Sequence, residues 1–130
     1  MNPKFSIMDD LPNENSAISI ARIVGDRASE VGFDWHEISE VWEKIYEEIS
    51  ELKDAITHSP RDIEEELGDL LFSVVNLARH LELDPERALS RSSKKFITRF
   101  KALEYNLAIK EKLISECDIA ELEQLWEAQK

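Results

Sequence analysis

The segment IEEELGDLLFSVVNLARHL, residues 63–81, decides the fold that this sequence predicts. Its acids are concentrated near its start, where the helix macrodipole favours negative charge. Its second half, residues 70–81, is apolar on nearly every side, which is typical of a helix that is buried on several faces. In a chain of 130 residues, such a helix indicates that a partner subunit covers one side of it.

Two helices are predicted before this segment. Residues 16–31 carry an apolar stripe with helical spacing, and Gly32 then ends the helix. Asp34 and Glu37 have the spacing of a capping box, so the next helix is predicted over residues 35–58. Its core face is predicted to comprise Ile38, Val41, Trp42, Ile45, Ile49, Leu52 and Ile56.

Two proline pairs begin the helices that follow. Ser59-Pro60 and Asp84-Pro85 each place a capping residue directly before a proline, which is favoured at the first helical position. Asp118 and Glu121 repeat the capping spacing near the end of the chain. The predicted helices are therefore residues 60–81, 85–112 and 118–129, after an irregular stretch at 1–13.

Composition supports one all-α domain over residues 1–130, a bundle of about five helices whose catalytic helices lie at 35–110. The chain has only 3 glycines and 4 prolines, too few for a turn-rich β protein. Its net charge of −12 argues against nonspecific nucleic-acid binding, and no apolar run reaches the roughly 18 residues of a membrane span. One cysteine, Cys117, excludes an internal disulfide; without a secretory signal, a cytoplasmic location is expected.

Four carboxylates form two matched pairs, Glu48 with Glu51 and Glu66 with Asp69. Each pair is spaced i,i+3, so both acids project from one face of a helix. If the two helices are antiparallel neighbours, the four acids converge and repel one another unless a cation neutralises them. An all-oxygen site of this kind suits Mg²⁺ or Mn²⁺. Taken singly, each pair is better explained as a solvated helix face in a chain with 28 acids. The two pairs together, on helices joined by a short turn, favour the metal site.

Polar and basic residues accompany the acids. Lys44 precedes Glu48 by one turn, and Asn76 follows Asp69 by two turns on the same face. A basic ridge is formed by Arg91, Lys95 and Arg99, and Trp35 at a helix start suits either a core position or ligand stacking. No Glu-x-x-His motif is present, which counts against a ferritin-like di-iron bundle.

Three segments together resemble the MazG family of nucleoside triphosphate pyrophosphohydrolases: YEEISEL at 46–52, residues 63–81, and KKFITRF at 94–100. The family pattern E-E-x-x-E, then E-x-x-D, is matched from Glu47 to Asp69. The similarity is strongest to the C-terminal catalytic repeat of bacterial MazG, from VGFDW at 31–35 through Arg99-Phe100. The resemblance implies a stand-alone, single-repeat member that forms a homodimer or a higher homo-oligomer.

The resemblance also implies Mg²⁺-dependent cleavage of a nucleoside triphosphate between its α and β phosphates, giving a monophosphate and pyrophosphate. The residues that it implies as metal ligands are Glu48, Glu51, Glu66 and Asp69. It implies phosphate contacts at Lys44, Lys95 and Arg99 and a substrate contact at Asn76. The proton of the attacking water is assigned to Glu47 or Glu48, and Trp35 is a further candidate for substrate binding.

Two positions depart from the family pattern, and two alternative functions remain open. Ser93 stands where relatives carry an asparagine, and Asp62 stands where a lysine often precedes the E-x-x-D motif. The first alternative is a related all-α pyrophosphohydrolase with a narrow substrate, phosphoribosyl-ATP or specific deoxynucleotides. The second is a catalytically silent helical dimer that binds nucleotides or a protein. A silent member is expected to lack one of the four acids, and all four are present.

Overall fold

The computed structural model describes residues 6–13 and 16–130. The regular secondary structure of these residues is entirely helical, which confirms the prediction of an all-α fold. Short 3₁₀ turns occupy Pro60–Asp62 and Ile114–Glu116. The helices are α1 (Ala17–Glu30), α2 (Ile38–His58), α3 (Ile63–His80), α4 (Pro85–Ile109) and α5 (Ile119–Glu127).

Three of the predicted helix starts are confirmed by hydrogen bonds. The Ser16 hydroxyl accepts from the Ser19 amide of α1 at 3.2 Å. Asp84 accepts from the amide of Glu86 at 3.0 Å, and Asp118 accepts from the amide of Glu121 at 2.8 Å. These side chains satisfy amides that a helix leaves unpaired in its first turn.

The predicted start of α2 is wrong by three residues. Glu37 is the N-cap residue and makes no side-chain capping bond. Asp34 does not serve as a cap. Its carboxylate accepts hydrogen bonds from the amide of Trp35 and from the guanidinium of Arg79, which is 45 residues away in the sequence. A tertiary contact has therefore replaced the local bond that the sequence pattern predicted.

Other boundaries differ by smaller amounts. Ser59 also makes no side-chain capping bond, and the chain passes through the 3₁₀ turn before α3 begins. α4 ends before residue 112 because Glu111 has a positive φ of 52°, which helix geometry excludes. Of the predicted irregular stretch, residues 6–13 contain no helix, and residues 1–5 lie outside the described residues.

The chain divides into two compact units, Met1–Glu86 and Arg87–Lys130. In the first unit, α2 and α3 form an antiparallel hairpin closed by the 3₁₀ turn, and α1 packs against α3. The hairpin buries apolar side chains together with three polar ones, of which Glu48 and Asn76 are predicted site residues. The buried set is Val41, Ile45, Glu48, Ala55, Ser73, Val75 and Asn76.

The second unit comprises α4, the 3₁₀ turn at Ile114–Glu116 and α5. Leu103 and Leu107 of α4 are buried. The ring of Trp126 on α5 lies 5.0 Å from that of Phe96, centroid to centroid. Lys112 fastens the segment after α4 to α5 by donating to both carboxylate oxygens of Glu121, at 2.6 and 2.8 Å.

Several side chains that were predicted to be in the core are exposed in this chain. Ile38, Trp42 and Ile56 of α2 are exposed, so the predicted core face is only partly correct. On α3, Leu67, Leu71 and Val74 are also exposed and follow one another at helical spacing. Within the chain itself, α3 is therefore not buried on several sides.

Among the described residues, no helix is both long enough and apolar enough to cross a membrane.

Candidate metal centre and adjoining cavity

Three of the four predicted metal ligands meet between α2 and α3. One carboxylate oxygen from each of Glu48, Glu51 and Glu66 lies within 4.8 Å of the others. The antiparallel hairpin produces this arrangement because it brings the inner ridges of the two helices together. We call these three residues the glutamate trio.

Glu48 is the buried member of the trio, with 4% of its surface exposed. Its Oε2 atom is buried and has no hydrogen-bond partner, and the same is true of Oε2 of Glu66. Leaving a buried polar atom unpaired costs roughly 1–3 kcal/mol, and more when the group is charged. The trio thus combines closely spaced carboxylates with two unsatisfied oxygen acceptors, and a hard cation is bound by oxygen ligands of this kind.

Lys44 holds the other oxygen of Glu48. Its Nζ lies 2.9 Å from Oε1 of Glu48 and 3.5 Å from Oε1 of Glu47. The hydrogen bond to Glu48 is the main reason that the pKa of Lys44 is raised. Lys44, predicted as a phosphate contact, therefore anchors Glu48.

Electrostatic repulsion within the trio is visible at Glu51. The charge of Glu48 raises the pKa of the Glu51 carboxyl above its ordinary value, and desolvation and the charge of Glu66 act in the same direction. Two neighbouring carboxylates make ionisation of Glu51 less favourable. A cation bound among the three would stabilise the ionised form of each.

Two predicted site acids lie outside the trio. Asp69 is one turn beyond Glu66 on α3, where it is exposed. Glu47 is exposed on α2 and keeps its carboxylate beside Lys44. The structure thus brings together three of the four predicted ligands.

Asn76 lies farther along α3, ten residues beyond Glu66, which is about 15 Å along the helix axis. It is buried, and its Oδ1 accepts a hydrogen bond from Nη1 of Arg79 at 3.0 Å. Asn76 and Arg79 help to line a cavity of about 420 Å³ between α1, the turn that follows it, and α3. Trp35 lies on the wall of this cavity, with its ring edge towards His80.

Arg79 is the centre of a buried ionic network that joins α1, the 31–37 turn and α3. Its Nε donates to Asp26 and its Nη2 to Asp34, both at 2.9 Å. Nε2 of His80 lies 2.9 Å from the second oxygen of Asp34. Burial raises the pKa of Asp34, but the bonds from Arg79 and His80 outweigh it and hold the pKa well below its ordinary value.

Comparison with known proteins identifies the architecture. The sequence profile of the MazG nucleotide pyrophosphohydrolase domain matches residues 36–103. The chain belongs to the MazG family. This confirms the resemblance predicted from the acidic motifs, and the match includes the whole glutamate trio.

Two relatives of the MazG domain align with most of the chain. A nucleoside triphosphate pyrophosphohydrolase/pyrophosphatase MazG of Thermotoga maritima is 47% identical over 114 residues, 88% of this chain and 44% of that protein. A nucleoside triphosphate pyrophosphohydrolase of Escherichia coli K12 is 37% identical over 128 residues, 95% of this chain and 48% of that protein. The chain thus spans about half the length of these relatives.

Two other predicted substrate residues, Lys95 and Arg99, lie on α4 in the second unit of this MazG domain. Lys95 is exposed and Arg99 is partly buried. Their assignment as phosphate contacts remains a prediction from the family motif.

Sequence reasoning missed the Arg79 network. Arg79 and His80 end an apolar segment, where basic residues are expected simply to favour the helix dipole. Asp34 was interpreted as a capping residue. One feature of the sequence does point to the network. The apolar segment of α3 ends in Arg79 and His80, and basic side chains beside buried apolar ones require acidic partners.

Proposed function

We propose that this chain hydrolyses nucleoside triphosphates between the α and β phosphates, releasing a nucleoside monophosphate and pyrophosphate. The observation that carries the proposal is the glutamate trio with its two unpaired buried oxygens. Membership of the MazG family and the activity for which both relatives are named support the same reaction.

The trio fits Mg²⁺, and Mn²⁺ by the same chemistry. Its donors are all carboxylate oxygens, the type that these ions prefer. One oxygen of each of the three residues lies within 4.8 Å of the others, close enough for all three to contact a single ion. Glu48, Glu51 and Glu66 would hold the ion, and Asp69 is the neighbouring acid that can complete the site.

A bound Mg²⁺ would supply neutralisation of the triphosphate charge and activation of the attacking water. The protein itself contributes orientation. Lys44 holds Glu48 through Oε1 and leaves Oε2 without a hydrogen-bond partner, available to a cation. Oε1 of Glu48 is paired with Lys44 and Oε2 would bind the ion, so neither is available to accept a proton. Glu47, the neighbouring residue, keeps an exposed carboxylate. Of the two candidates, we propose Glu47 as the base that takes the proton from water.

Charge on the leaving pyrophosphate requires cationic partners, because the trio itself is anionic. Lys95 and Arg99 are the basic residues that we propose for this role, on the strength of the family motif. A fixed cation near the phosphates lowers the free energy of the transition state more than that of the ground state when charge develops on the leaving group.

We propose further that the chain acts as a homodimer in the cytoplasm. The exposed stripe of Leu67, Leu71 and Val74 on α3 is apolar surface that a second copy would remove from water. A monomer that leaves such a stripe exposed is prone to aggregation.

The test of the metal centre is Glu48→Gln, which keeps the shape of the side chain and removes its charge. Turnover of nucleoside triphosphates is expected to fall by about 100-fold or more, since even residues that only support metal ligands cost 10–100-fold. Mg²⁺ at 100 times its Kd should increase the free energy of unfolding of the wild type by about 2.7 kcal/mol, and the melting temperature should rise accordingly. The variant should lose that shift and remain fully helical by circular dichroism.

Glu43→Gln is the matched control, since Glu43 is an exposed acid on α2 outside the trio. It should behave as wild type in both measurements. Full turnover by Glu48→Gln would rule out the proposed centre.

A further inference from the structure

The segment before α1, residues 6–13, borders the cavity that lies between α1, the 31–37 turn and α3. We call this segment the strap. Met8 is its half-buried residue on the cavity wall, and the remaining lining residues belong to the other three elements. The strap contains no helix, and none of its residues is fully buried. It therefore covers part of the cavity without belonging to the core of the first unit.

Hydrogen bonds within the strap fold it into a compact turn. The Ser6 hydroxyl accepts from the amide of Met8 at 3.0 Å, and the Ser6 carbonyl accepts from the amide of Asp9 at 3.1 Å. The Asp9 carboxylate in return accepts from the amide of Ser6 at 3.1 Å. Such turns are formed by neighbouring residues alone. The strap can therefore move as one body and keep its shape.

Arg27, in the last turn of α1, fastens the strap to the first unit. Its Nη1 donates to the carbonyl of Ile7 at 2.8 Å, and its Nη2 donates to that of Asp10 at 2.9 Å. The planar guanidinium thus holds two points of the strap with one side chain. Both hydrogen bonds are exposed, where water can replace a protein partner at little net cost. This attachment is therefore reversible.

The other walls of the cavity are held more firmly. The 31–37 turn is tied to α3 through the ion pair of Asp34 with Arg79, whose side chain is only 7% exposed. α1 packs closely on α3 at the buried Gly25. Segments with few buried contacts open at a small fraction of the free energy of global unfolding. Of the elements around the cavity, the strap is therefore the one that opens most easily.

We propose that the strap is a gate for the cavity, with Arg27 as its latch and Met8 as the side chain that covers the opening. Opening of the strap admits a ligand, and closure separates that ligand from solvent. An unbranched methionine suits this position because it adapts its shape to the molecule behind it. The gate goes beyond the proposed function, which concerns the glutamate trio, and rests on it only for the nature of the ligand.

Thiol labelling inside the cavity measures how often the gate opens. The parent protein carries Ala28→Cys, at a position that lines the cavity, and Cys117→Ser, which removes the native thiol. Its reaction with N-ethylmaleimide is followed over time. Addition of Arg27→Ala should raise the labelling rate by about 10-fold or more, since two hydrogen bonds of the closed state are lost. Glu30→Ala, at an exposed position of α1, is the control and should leave the rate unchanged.

Met8→Ala is a second variant that leaves α1 intact. It removes the covering side chain and keeps both bonds from Arg27, because these bonds end on main-chain carbonyls. Labelling should again be faster than in the parent protein. Ile7→Ala, at the neighbouring exposed residue of the strap, should label at the parent rate. Hydrogen exchange at the amide of Ser59, bonded to the Ala55 carbonyl in the hairpin, reports general loosening and should stay constant in every variant.

Equal labelling rates in the parent protein and in Arg27→Ala would overturn the gate, as would faster labelling that is matched by faster exchange at Ser59. The labelling requires no nucleotide, so its result is independent of the proposed reaction. Gated labelling in a protein that hydrolyses no nucleoside triphosphate would uphold the strap and refute the proposed function. Hydrolysis together with labelling that ignores Arg27 would do the reverse.

Discussion

Glu48 is an acid in a position where a carboxylate is costly to maintain. It is buried, one oxygen is paired with Lys44, and the other has no hydrogen-bond partner. A buried ionised group is tolerated when it is paired or binds a metal. The second oxygen of Glu48 is therefore better explained by a ligand than by the stability of the fold. Glu51 supports this interpretation, because the charges of Glu48 and Glu66 raise the pKa of its carboxyl and a cation would offset that repulsion.

Asp34 illustrates the opposite case, an acid that stabilises the folded chain. Its lowered pKa means that the folded state favours the ionised form. The resulting stabilisation is fully present above the ordinary value of 3.8 and is lost as the pH falls from there through the lowered pKa. Its partner Arg79 has only 7% of its side chain exposed, so the pair is little screened by solvent.

Asp34→Asn is expected to lower the free energy of unfolding at pH 7 by roughly 1.5–3 kcal/mol, the range for hydrogen bonds to charged groups. The measurement is urea denaturation of wild type and variant between pH 7 and pH 3. Their difference should be constant down to about pH 5 and shrink below about pH 4. Asp54→Asn, at an exposed aspartate, should show no such difference. A difference between wild type and Asp34→Asn that does not change with pH would contradict the ionic explanation.

At the scale of elements, the packing of α1 against α3 depends on one glycine. Gly25 is buried where α1 meets Asn76 and Arg79. The side chain of Arg79 is held by three acceptors, so it cannot easily move aside for a larger neighbour. Close approach of the two helices is thus a condition for the ionic network.

Gly25→Ala should therefore destabilise the chain by about 1–3 kcal/mol, as overpacking typically does, although alanine is the better helix former. Gly68→Ala is the matched control within α3, because a Cβ there meets no atom within 4 Å. It should stabilise by about 0.5–1 kcal/mol through helix propensity. The melting temperatures of the two variants, measured by thermal denaturation, test both expectations. Equal stabilisation by Gly25→Ala and Gly68→Ala would contradict the close packing of α1 on α3 at Gly25.

At the scale of the whole molecule, part of the apolar surface lacks a partner within the chain. Leu67, Leu71 and Val74 are exposed on α3, and Trp42 and Ile56 are exposed on α2. Isolated exposed apolar residues are ordinary, but a stripe of them on one helix indicates an interaction surface.

Leu71→Glu tests whether a second copy covers this stripe. We expect the wild type to be a dimer by sedimentation velocity and the variant to be a monomer at the same concentration, because a buried charge at an apolar interface is strongly unfavourable. Lys53→Glu, a charge change on an exposed residue of α2, is the control and should remain dimeric. A monomeric wild type would refute the proposed homodimer.

Much of this architecture could be predicted from sequence, because its signals are local. Asp84 and Asp118 cap their helices as predicted, and the acid spacing anticipates the glutamate trio. The start of α2 could not be predicted, since Asp34 pairs with a residue 45 positions away. The cavity could not be predicted either, because it arises from the packing of α1 on α3 and not from any one motif.

Cleavage between the α and β phosphates at the glutamate trio can be tested by product analysis. A panel of ribo- and deoxynucleoside triphosphates is incubated with the protein in Mg²⁺ and in EDTA. We expect nucleoside monophosphate and pyrophosphate, formed only with the metal. Nucleoside diphosphate and orthophosphate, or turnover that persists in EDTA, would contradict it.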